Sequence, residues 1–460
     1  MAHLYISAAH KSSGKTTLSV GLAAALSRRG KKVQTFKKGP DYIDPLWLQR
    51  ATGHPCYNLD FNTQSADEIV DLFARKLDGA DVGLIEGNKG LYDGVALDGR
   101  DSNAALAVRL HAPVILVIDV VGITRGIAPL LVGYRAFGPD VHVTGVIFNK
   151  VGSSRQEEKL RASVERYTDM AVIGSVPRND SLLAPERHLG LVPPSESNHV
   201  YERINELAMM MEKHVDIDRL LDISQMAPPP ACPRSAPDIG DSSARLRIGI
   251  ARDSAFGFYY ADDLEALESA GAELVFFNSI EDATLPAIDG LFLGGGFPET
   301  HMKALQDNKS LRSEIKTAAQ NGLPIYAECG GLIYLAKNLS WNGERAEMVG
   351  FIPGSVTMHD TPQGRGLVRL KETGRGAWPK QSEPEQLATI FAHEFHYASI
   401  DGLPDDTVFA HEVLRGHGID GAHDGIVLNN VQAGFCHHRT TAQNDWAGRF
   451  VDFVQRCKGR

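Results

Sequence analysis

Residues Ser7–Thr17 read SAAHKSSGKTT and stand between a short apolar run and a helical pattern. This order of strand, loop and helix is the context that a phosphate-binding P-loop requires. Small residues allow backbone N–H groups to approach phosphate oxygens, and the N-terminus of the following helix adds partial positive charge. The motif departs from GxxxxGKS or GxxxxGKT at its first glycine, where Ala9 and His10 stand instead. The alternative interpretation is a helix N-cap rich in serine and glycine.

A P-loop at this position assigns roles to its side chains. We expect ATP as the nucleotide and Mg²⁺ as its metal ion, with Lys15 on the β- and γ-phosphates and Thr16 holding the metal. Asn149 and Pro177 each follow a strand-like run and are expected to contact the adenine, although a plain strand end explains them equally well. The predicted nucleotide-binding residues are Ser12, Ser13, Gly14, Lys15, Thr16, Thr17, Lys37, Asn149 and Pro177.

Two further segments place acidic side chains where strands should end. They are Phe36–Pro45, FKKGPDYIDP, and Glu86–Gly94, EGNKGLYDG. Ligands of open α/β sheets bind at the carboxyl ends of the strands, and Mg²⁺ takes one or two carboxylates together with phosphate oxygens. Each carboxylate taken alone is also a common turn or capping residue. With the P-loop, these segments predict Thr16, Asp41 and Glu86 as metal ligands, Tyr42, Asp44 and Asp93 as substrate contacts, and Lys37 and Lys38 as groups that neutralise a transferring phosphoryl group.

The order of patterns along the chain indicates two domains. The segment Leu221–Arg245 is rich in Pro, Ser and Ala and lacks apolar periodicity, as an exposed linker does. We therefore predict an ATP-binding domain at 1–222, a linker at 223–245 and a second domain at 246–460. Short β-type runs alternate with helical patterns in both halves, which predicts α/β folds with a parallel sheet in the first.

Composition narrows the function classes. The chain has 460 residues and a formal net charge of −10, which argues against a nucleic-acid-binding surface. The longest apolar runs, such as Ala112–Val121, are too short to cross a bilayer, and Met1–Ala9 lacks the features of a signal peptide. Five cysteines without CxxC spacing disfavour a disulfide framework or a zinc ribbon. We expect a cytoplasmic protein with small-molecule substrates and neither nucleic-acid nor membrane partners.

The C-terminal half contains one cysteine in a setting that favours reactivity. Pro324–Leu335, PIYAECGGLIYL, places Cys329 between a strand and a helix. A tight turn of this kind exposes the sulfur, and the helix N-terminus favours the thiolate. Upstream, LFLGGGFPE supplies a glycine cluster, so the backbone amides of Gly295, Gly296 and Gly330 are predicted to form an oxyanion hole for the substrate. A buried structural cysteine is the alternative.

A cysteine nucleophile requires a base, and two histidine-containing segments follow it. His437 in AGFCHHR is the predicted base. His393 and His396 in HEFHY have the spacing of a metal pair, but no third ligand stands at suitable spacing, so a structural or substrate-contacting role is favoured. The acidic member of a triad is not visible, because His438 and Arg439 follow His437. That role stays unassigned.

The chain resembles the cobyrinic acid a,c-diamide synthase family over essentially its whole length. The segments that carry the resemblance are SSGKTT, FKKGPDYIDP, the NLD of Asn58–Asp60, EGNKGLYDG, LFLGGGFPE, AECGGLIYL and HEFHY. The resemblance implies an N-terminal domain similar to dethiobiotin synthetase, followed by a class I glutamine amidotransferase α/β domain. It also implies a homodimer that amidates acetate side chains of a tetrapyrrole with ATP, Mg²⁺ and glutamine. In that reaction Cys329 is the nucleophile and His437 activates it.

Two departures from the family pattern bear on the substrate. The usual Ser-Tyr-x-His reads Gly434-Phe435-Cys436-His437 here, and His10 stands in a loop whose commoner form is Gly-Thr-Ser-Ser-Gly. Both departures are more similar to the sirohaem amidases than to the cobalamin enzymes, so sirohaem or cobyrinic acid is the expected substrate. The alternatives are a deviant P-loop positioning ATPase with a non-catalytic C-terminal domain, and an amidase similar to cobyric acid synthase.

Overall fold

The computed structural model describes residues 1–179, 186–187, 190–191, 193–194, 199–230, 246–379 and 389–459. The chain divides into two compact units, Met1–Ser235 and Ala236–Arg460, and each is an α/β unit. The predicted fold class is confirmed. Of the predicted linker at 223–245, residues 231–245 lie outside the described part, and a helix upstream continues to Ser224.

The first unit is built on a parallel sheet. Its strands are β1 (Ala2–Ala8), β2 (Val33–Lys38), β3 (Tyr57–Leu59), β4 (Val82–Glu86), β5 (Val114–Asp119), β6 (Val143–Val151) and β7 (Ala171–Pro177), with a short antiparallel pair, β8 (Glu186–Arg187) and β9 (Gly190–Leu191). Its helices are α1 (Lys15–Arg28), α2 (Ile43–Thr52), α3 (Ala66–Leu77), α4 (Asn103–Arg109), α5 (Ile127–Phe137), α6 (Ser154–Tyr167), α7 (Val200–His214) and α8 (Ile217–Ser224).

The strand order fixes where ligands of this sheet should bind. The order is β3-β2-β4-β1-β5-β6-β7, and all neighbours are parallel. The strands β1 and β5 are almost entirely buried, in keeping with their continuous apolar runs. The order changes direction at β1, and the P-loop follows that strand. A switch point of this kind is where open α/β sheets bind their ligands.

The second unit carries a larger, mixed sheet. Its strands are β10 (Leu246–Ala251), β11 (Phe256–Phe258), β12 (Ala272–Phe277), β13 (Gly290–Leu293), β14 (Gly295–Gly296), β15 (Ile325–Glu328), β16 (Asn338–Trp341), β17 (Glu344–Glu347), β18 (Ser355–Met358), β19 (Gly364–Glu372), β20 (Thr389–His396), β21 (Ala398–Asp401), β22 (Val408–Arg415), β23 (His423–Leu428) and β24 (Val431–Gly434). Its helices are α9 (Ala261–Ser269), α10 (Met302–Asp307), α11 (Lys309–Gln320), α12 (Gly330–Leu335) and α13 (Trp446–Lys458), with a 3-10 turn at Pro298–His301.

The main sheet of this unit has a parallel and an antiparallel part. Its order is β12-β10-β13-β15-β24-β23-β22-β19-β20, and the first five strands are parallel. Aromatic side chains of β13, β15 and α13, among them Phe292, Tyr326 and Trp446, pack together in one of its hydrophobic clusters. Among the helices that the structure describes, none is long and apolar enough to cross a membrane.

Candidate active site

The P-loop of the first unit is held by its own backbone and by a neighbouring strand. Gly14 has φ +87°, and a Cβ atom on it would lie 2.3 Å from Nδ2 of Asn149, so only glycine fits there. Asn149 donates that amide hydrogen to the backbone oxygen of Ser13 at 2.9 Å. The Ser13 hydroxyl donates to the oxygen of His10 at 2.8 Å. The Asn149 amide therefore holds the loop, whereas the sequence predicted an adenine contact.

Lys15 begins helix α1 and is almost completely buried. Burial lowers the pKa of Lys15 to about 8, and the positive charge of Lys37 acts in the same direction, while the carboxylates of Glu86 and Asp44 oppose the change. The charged ammonium form of a lysine buried in this way is destabilised unless an anion lies beside it. A phosphate group beside the helix N-terminus would supply that anion.

Three oxygen-bearing side chains converge beside Lys15. The hydroxyl of Thr16 donates to Oε1 of Glu86 at 2.7 Å and to Oδ2 of Asp44 at 3.0 Å. Glu86 is fully buried, and its Oε2 has no hydrogen-bond partner among the described residues. Hard oxygen donors with an unsatisfied carboxylate atom fit Mg²⁺ well. Thr16, Asp44 and Glu86 are therefore the set that would hold the ion.

Asp41 stands in the turn before helix α2, where its Oδ2 lies 3.8 Å from Nζ of Lys37. Its Oδ1 accepts hydrogen bonds from the backbone N–H of Ile43 at 2.9 Å and of Asp44 at 3.2 Å, so it caps the first turn of helix α2. The sequence predicted Asp41 as a metal ligand and Asp44 as a substrate contact. The structure places Asp44, rather than Asp41, against Thr16. The spacing D-x-x-D did not reveal which carboxylate closes the turn.

Lys37 lies between the carboxylates. Its Nζ is 2.5 Å from Oδ2 of Asp44 and 3.0 Å from Oε1 of Glu86, and the side chain is 2% exposed. Burial would lower the pKa of Lys37, but these two carboxylates outweigh it and hold that pKa well above its usual value. Lys37 therefore balances acidic charge inside the site, whereas the sequence assigned it to the nucleotide.

The remaining predicted residues lie on the loops around this site. Asp93 is exposed, and its carboxylate closes a turn by accepting the N–H of Gly90 at 3.0 Å. The other positions are as follows: Ser12 is exposed with φ +64°, Thr17 is half-buried in the first turn of α1, Tyr42 is half-buried at the N-cap of α2, Lys38 is buried at the end of β2, and Pro177 is exposed at the end of β7.

In the second unit, Cys329 occupies the sharp turn between β15 and α12. Its backbone has φ +49° and ψ −99°, which a non-glycine residue rarely adopts. The Cys329 N–H donates to the oxygen of Gly434 at 2.8 Å, which ties the turn to the end of β24. A strained, well-anchored turn of this kind is typical of a nucleophile elbow.

Glycines surround this turn closely. A Cβ atom on Gly295 would lie 2.7 Å from Cε1 of His437, and one on Gly330 would lie 2.9 Å from the backbone nitrogen of Gly296. The three glycines predicted to form the oxyanion hole are therefore packed together beside Cys329 and His437. Their missing side chains allow the backbone of two loops to approach the nucleophile.

His437 is paired with an acid that sequence reasoning missed. Its Nδ1 is 3.2 Å from Oε2 of Glu328, and both side chains are buried. Burial would lower the pKa of His437, but hydrogen bonds with Cys329 and Glu328 outweigh it and raise that pKa to about 10. Cys329, His437 and Glu328 thus have the contacts that a nucleophile, its base and an orienting acid require. The signal was the residue directly before the cysteine in AECGG.

The HEFHY segment contributes one histidine to the site. His393 stacks on His437 with ring centroids 4.9 Å apart, and their backbones form an antiparallel bridge. The hydroxyl of Tyr260 is 3.2 Å from Nδ1 of His393. Burial lowers the pKa of His393 well below its usual value, and the charge of His437 adds to this effect. His396 instead stacks on Phe435, with 4.1 Å between the ring centroids.

Comparison with known proteins agrees with the two sites. Residues 6–192 match the CobQ/CobB/MinD/ParA nucleotide binding domain, and residues 247–445 match the CobB/CobQ-like glutamine amidotransferase domain. The chain is 44% identical to the cobyrinate a,c-diamide synthase of Magnetococcus marinus, with 96% of this chain and 95% of that protein covered. The chain belongs to the cobyrinate a,c-diamide synthase family.

Two archaeal members of the cobyrinate a,c-diamide synthase family are nearly as similar. The proteins of Methanosarcina acetivorans and Archaeoglobus fulgidus, each called cobyrinate a,c-diamide synthase, are 39% and 40% identical, and the alignments cover 97% of this chain and 94% and 96% of the relatives. As a member of this family, the protein is a glutamine-dependent amidating ligase. The alternative of a positioning ATPase with an inert second domain does not agree with this membership.

Proposed function

We propose that the protein uses ATP, Mg²⁺ and glutamine to amidate acetate carboxylates of a tetrapyrrole. The observation that carries this proposal is the pairing of His437 with both Cys329 and Glu328 in a chain that also has a P-loop. A base held by a carboxylate beside a strained cysteine is suited to attack on an amide. The carboxylate-rich phosphate site of the first unit is suited to the activation of an acid group.

In the glutamine half-reaction, the Cys329 thiolate attacks the side-chain carboxamide carbon of glutamine. The carbonyl oxygen becomes an oxyanion, which backbone N–H groups of the glycine cluster at Gly295, Gly296 and Gly330 stabilise. The imidazolium of His437 gives its proton to the leaving nitrogen, so ammonia departs and a glutamyl thioester remains. Water, deprotonated by His437, then releases glutamate and restores the thiolate.

In the ligase half-reaction, a carboxylate oxygen of the tetrapyrrole attacks the γ-phosphorus of ATP and displaces ADP. The product is an acyl phosphate, whose carbonyl carbon accepts ammonia and loses inorganic phosphate. Lys15 stabilises negative charge on the phosphoryl oxygens. Mg²⁺, held by Thr16, Asp44 and Glu86, would neutralise the charge that builds up on the phosphates.

The identity of the macrocycle rests on different observations. The names of the curated relatives support cobyrinate, amidated at its a and c acetates, as the first candidate. Sirohaem is a second candidate. At His10 and Cys436 the sequence departs from the common family pattern, and in both segments it is more similar to the sirohaem amidases. Mass spectrometry after separate incubations with the two macrocycles, ATP and glutamine would decide between them. If neither macrocycle gains an amide group, both assignments are contradicted.

Two variants test the division of labour between the sites. Cys329→Ala should abolish amidation driven by glutamine and leave amidation driven by ammonium chloride, because only the first requires the thiolate. Lys15→Ala should abolish both, because each requires the acyl phosphate. Amide formation is measured by product mass, and hydrolysis of glutamine by glutamate release. Equal loss with both nitrogen sources in Cys329→Ala, or full synthesis in Lys15→Ala, would refute the proposed roles.

A further inference from the structure

A second group of titratable side chains lies deep in the second unit, behind the histidine of the glutamine site. His411 on β22, Asp424 on β23 and His438 after β24 are all buried, and one donor atom from each lies within 4.8 Å of the others. The antiparallel register of β22 and β23 places His411 directly opposite Asp424. The rings of His411 and His438 are 4.9 Å apart. None of the three residues has a role in the proposed reaction.

The charge of this group is not balanced by the protein. Asp424 is 1% exposed and accepts the N–H groups of Phe435 at 2.9 Å and Cys436 at 3.3 Å, but the described residues give it no cationic partner. The rings of His411 and His438 are buried beside it, with 4% and 5% of their surface exposed. A buried carboxylate without a cation is costly.

One ring nitrogen in the group is left without a partner by the described residues. Nδ1 of His411 is buried and lacks a hydrogen-bond partner among the described residues. It lies 3.0 Å from the place where a Cβ atom on Gly425 would stand, so a side chain at that position would crowd this nitrogen. The same narrow cavity is lined by Asp424, His438 and Cys436. An unpartnered ring nitrogen, a second imidazole and a carboxylate therefore lie around one tightly packed pocket.

We propose that His411, Asp424 and His438 bind one divalent transition-metal ion, of which Zn²⁺ suits the donors best. Neutral imidazole nitrogens and a carboxylate oxygen are common zinc ligands. Ligand atoms around tetrahedral zinc stand about 3.4 Å apart, so the three side chains need to close by roughly 1.4 Å at most. The ion also supplies the positive charge that Asp424 lacks. The thiol of Cys436 also lines this pocket, and it donates a hydrogen bond to Oε2 of Glu394 at 3.9 Å.

The ion would position the glutamine site without touching its substrate. The backbone N–H of His438 donates to Oε1 of Glu328 at 2.9 Å, and His438 follows His437 in the chain. Metal binding to the His438 ring would therefore fix the segment that carries the base His437 and that hydrogen-bonds its acid, Glu328. The ligands come from two neighbouring strands and the loop after a third, which is why no sequence spacing revealed them.

Metal content of the full-length protein tests the proposal. The chain is incubated with Zn²⁺ in the presence of excess Mg²⁺, desalted and analysed by inductively coupled plasma mass spectrometry. We expect about one zinc per chain, and at least a tenfold loss of bound zinc in His411→Gln and in Asp424→Asn. His423→Gln is the matched control, since this neighbouring histidine is 40% exposed and pairs with Asp420. It should retain the zinc.

Two further measurements make the result specific. Glu86→Gln removes a carboxylate of the phosphate site in the first unit and should retain the zinc, which excludes that site as its location. X-ray absorption at the zinc edge of the unaltered protein should show two imidazole ligands, and this readout does not depend on whether a variant folds. No retained zinc in the folded parent, unchanged zinc in folded His411→Gln, or a spectrum without imidazole scattering would overturn the proposal.

Discussion

Replacement of Glu328 by glutamine should invert the hydrogen-bonding pattern of the catalytic histidine. Oε1 of Glu328 accepts from the hydroxyl of Tyr326 at 2.6 Å and from the N–H of His438 at 2.9 Å, while Oε2 faces Nδ1 of His437. Because the Tyr326 hydroxyl and the His438 N–H both donate to the Oε1 position, the carbonyl oxygen of a glutamine side chain would occupy that position. The amide NH₂ group then points at Nδ1 of His437 and donates to it. The imidazole proton is forced onto Nε2, the ring nitrogen that Glu328 leaves for the hydrogen bond with Cys329.

The size of the effect follows from the burial of the pair. Removal of one partner of a buried ion pair costs about 3–5 kcal/mol, and each 1.36 kcal/mol changes a rate about tenfold. We therefore expect the kcat of glutamine hydrolysis by Glu328→Gln to fall by about 10²- to 10⁴-fold. The wrong tautomer alone costs about 10⁴-fold in serine proteases that lose their acid. Amidation driven by ammonium chloride should be unchanged, because it does not use Cys329.

The assay is glutamate release together with product formation from ammonium chloride, at equal protein concentration. Glu372→Gln is a matched control, since Glu372 is a buried glutamate of the same unit that pairs with Arg449 at 2.6 Å. It should keep glutaminase activity within a few-fold of the parent. A Glu328→Gln enzyme with normal glutaminase activity would show that Glu328 does not orient His437.

Three other predictions concern the two sites. The pKa of Lys15 is about 8 in the free protein, and bound phosphate should raise it. The affinity for ATP, measured by calorimetry, should therefore fall about tenfold per pH unit above pH 8. An affinity that stays constant up to about pH 9.5 would contradict the role of Lys15. Gly295→Ala puts a methyl group 2.7 Å from Cε1 of His437. The resulting clash, worth roughly 3 kcal/mol, should lower glutaminase activity about 100-fold. Gly133→Ala is the control and should change no activity, because its methyl group meets nothing within 4 Å. Asn149→Ala removes one hydrogen bond from the P-loop. Since one hydrogen bond contributes roughly 1 kcal/mol, the Kd for ATP should rise by about 5- to 10-fold. An unchanged Kd would mean that the loop holds its shape without this contact.

The local parts of both sites could be predicted because each is encoded in one short segment. SSGKTT specifies a strand, a loop and a helix start, and the structure places Lys15 at the first position of α1. AECGG specifies a turn around Cys329, and the structure has that turn at the end of β15. In each case the glycine is required by a backbone conformation or a close approach, which sequence patterns reveal well.

The parts that depend on pairing across the fold were not predictable. Glu328 and His437 are 109 positions apart and meet because β15 and β24 are neighbours in the sheet. The different contacts of Asp41 and Asp44 have a related cause. Both residues stand in one turn, and only the cap geometry shows that Asp41 bonds to the backbone while Asp44 faces Thr16. Sequence shows which charges are present, but their partners are fixed by strand order and loop path.

The strain at Cys329 is maintained by that same strand order. A non-glycine residue with positive φ costs on the order of 1–3 kcal/mol and persists only where its surroundings enforce the conformation. Here β15 lies between β13 and β24 in the sheet. Gly331, at the start of α12, packs so closely on β13 that a Cβ atom on it would lie 2.2 Å from the backbone oxygen of Leu293. Because three adjacent parallel strands end at one edge, the loops that follow them bring the glycine cluster, the thiol and the imidazole together. The catalytic geometry is therefore a property of the sheet, and an elbow sequence moved to another strand end would retain the turn but lose the base.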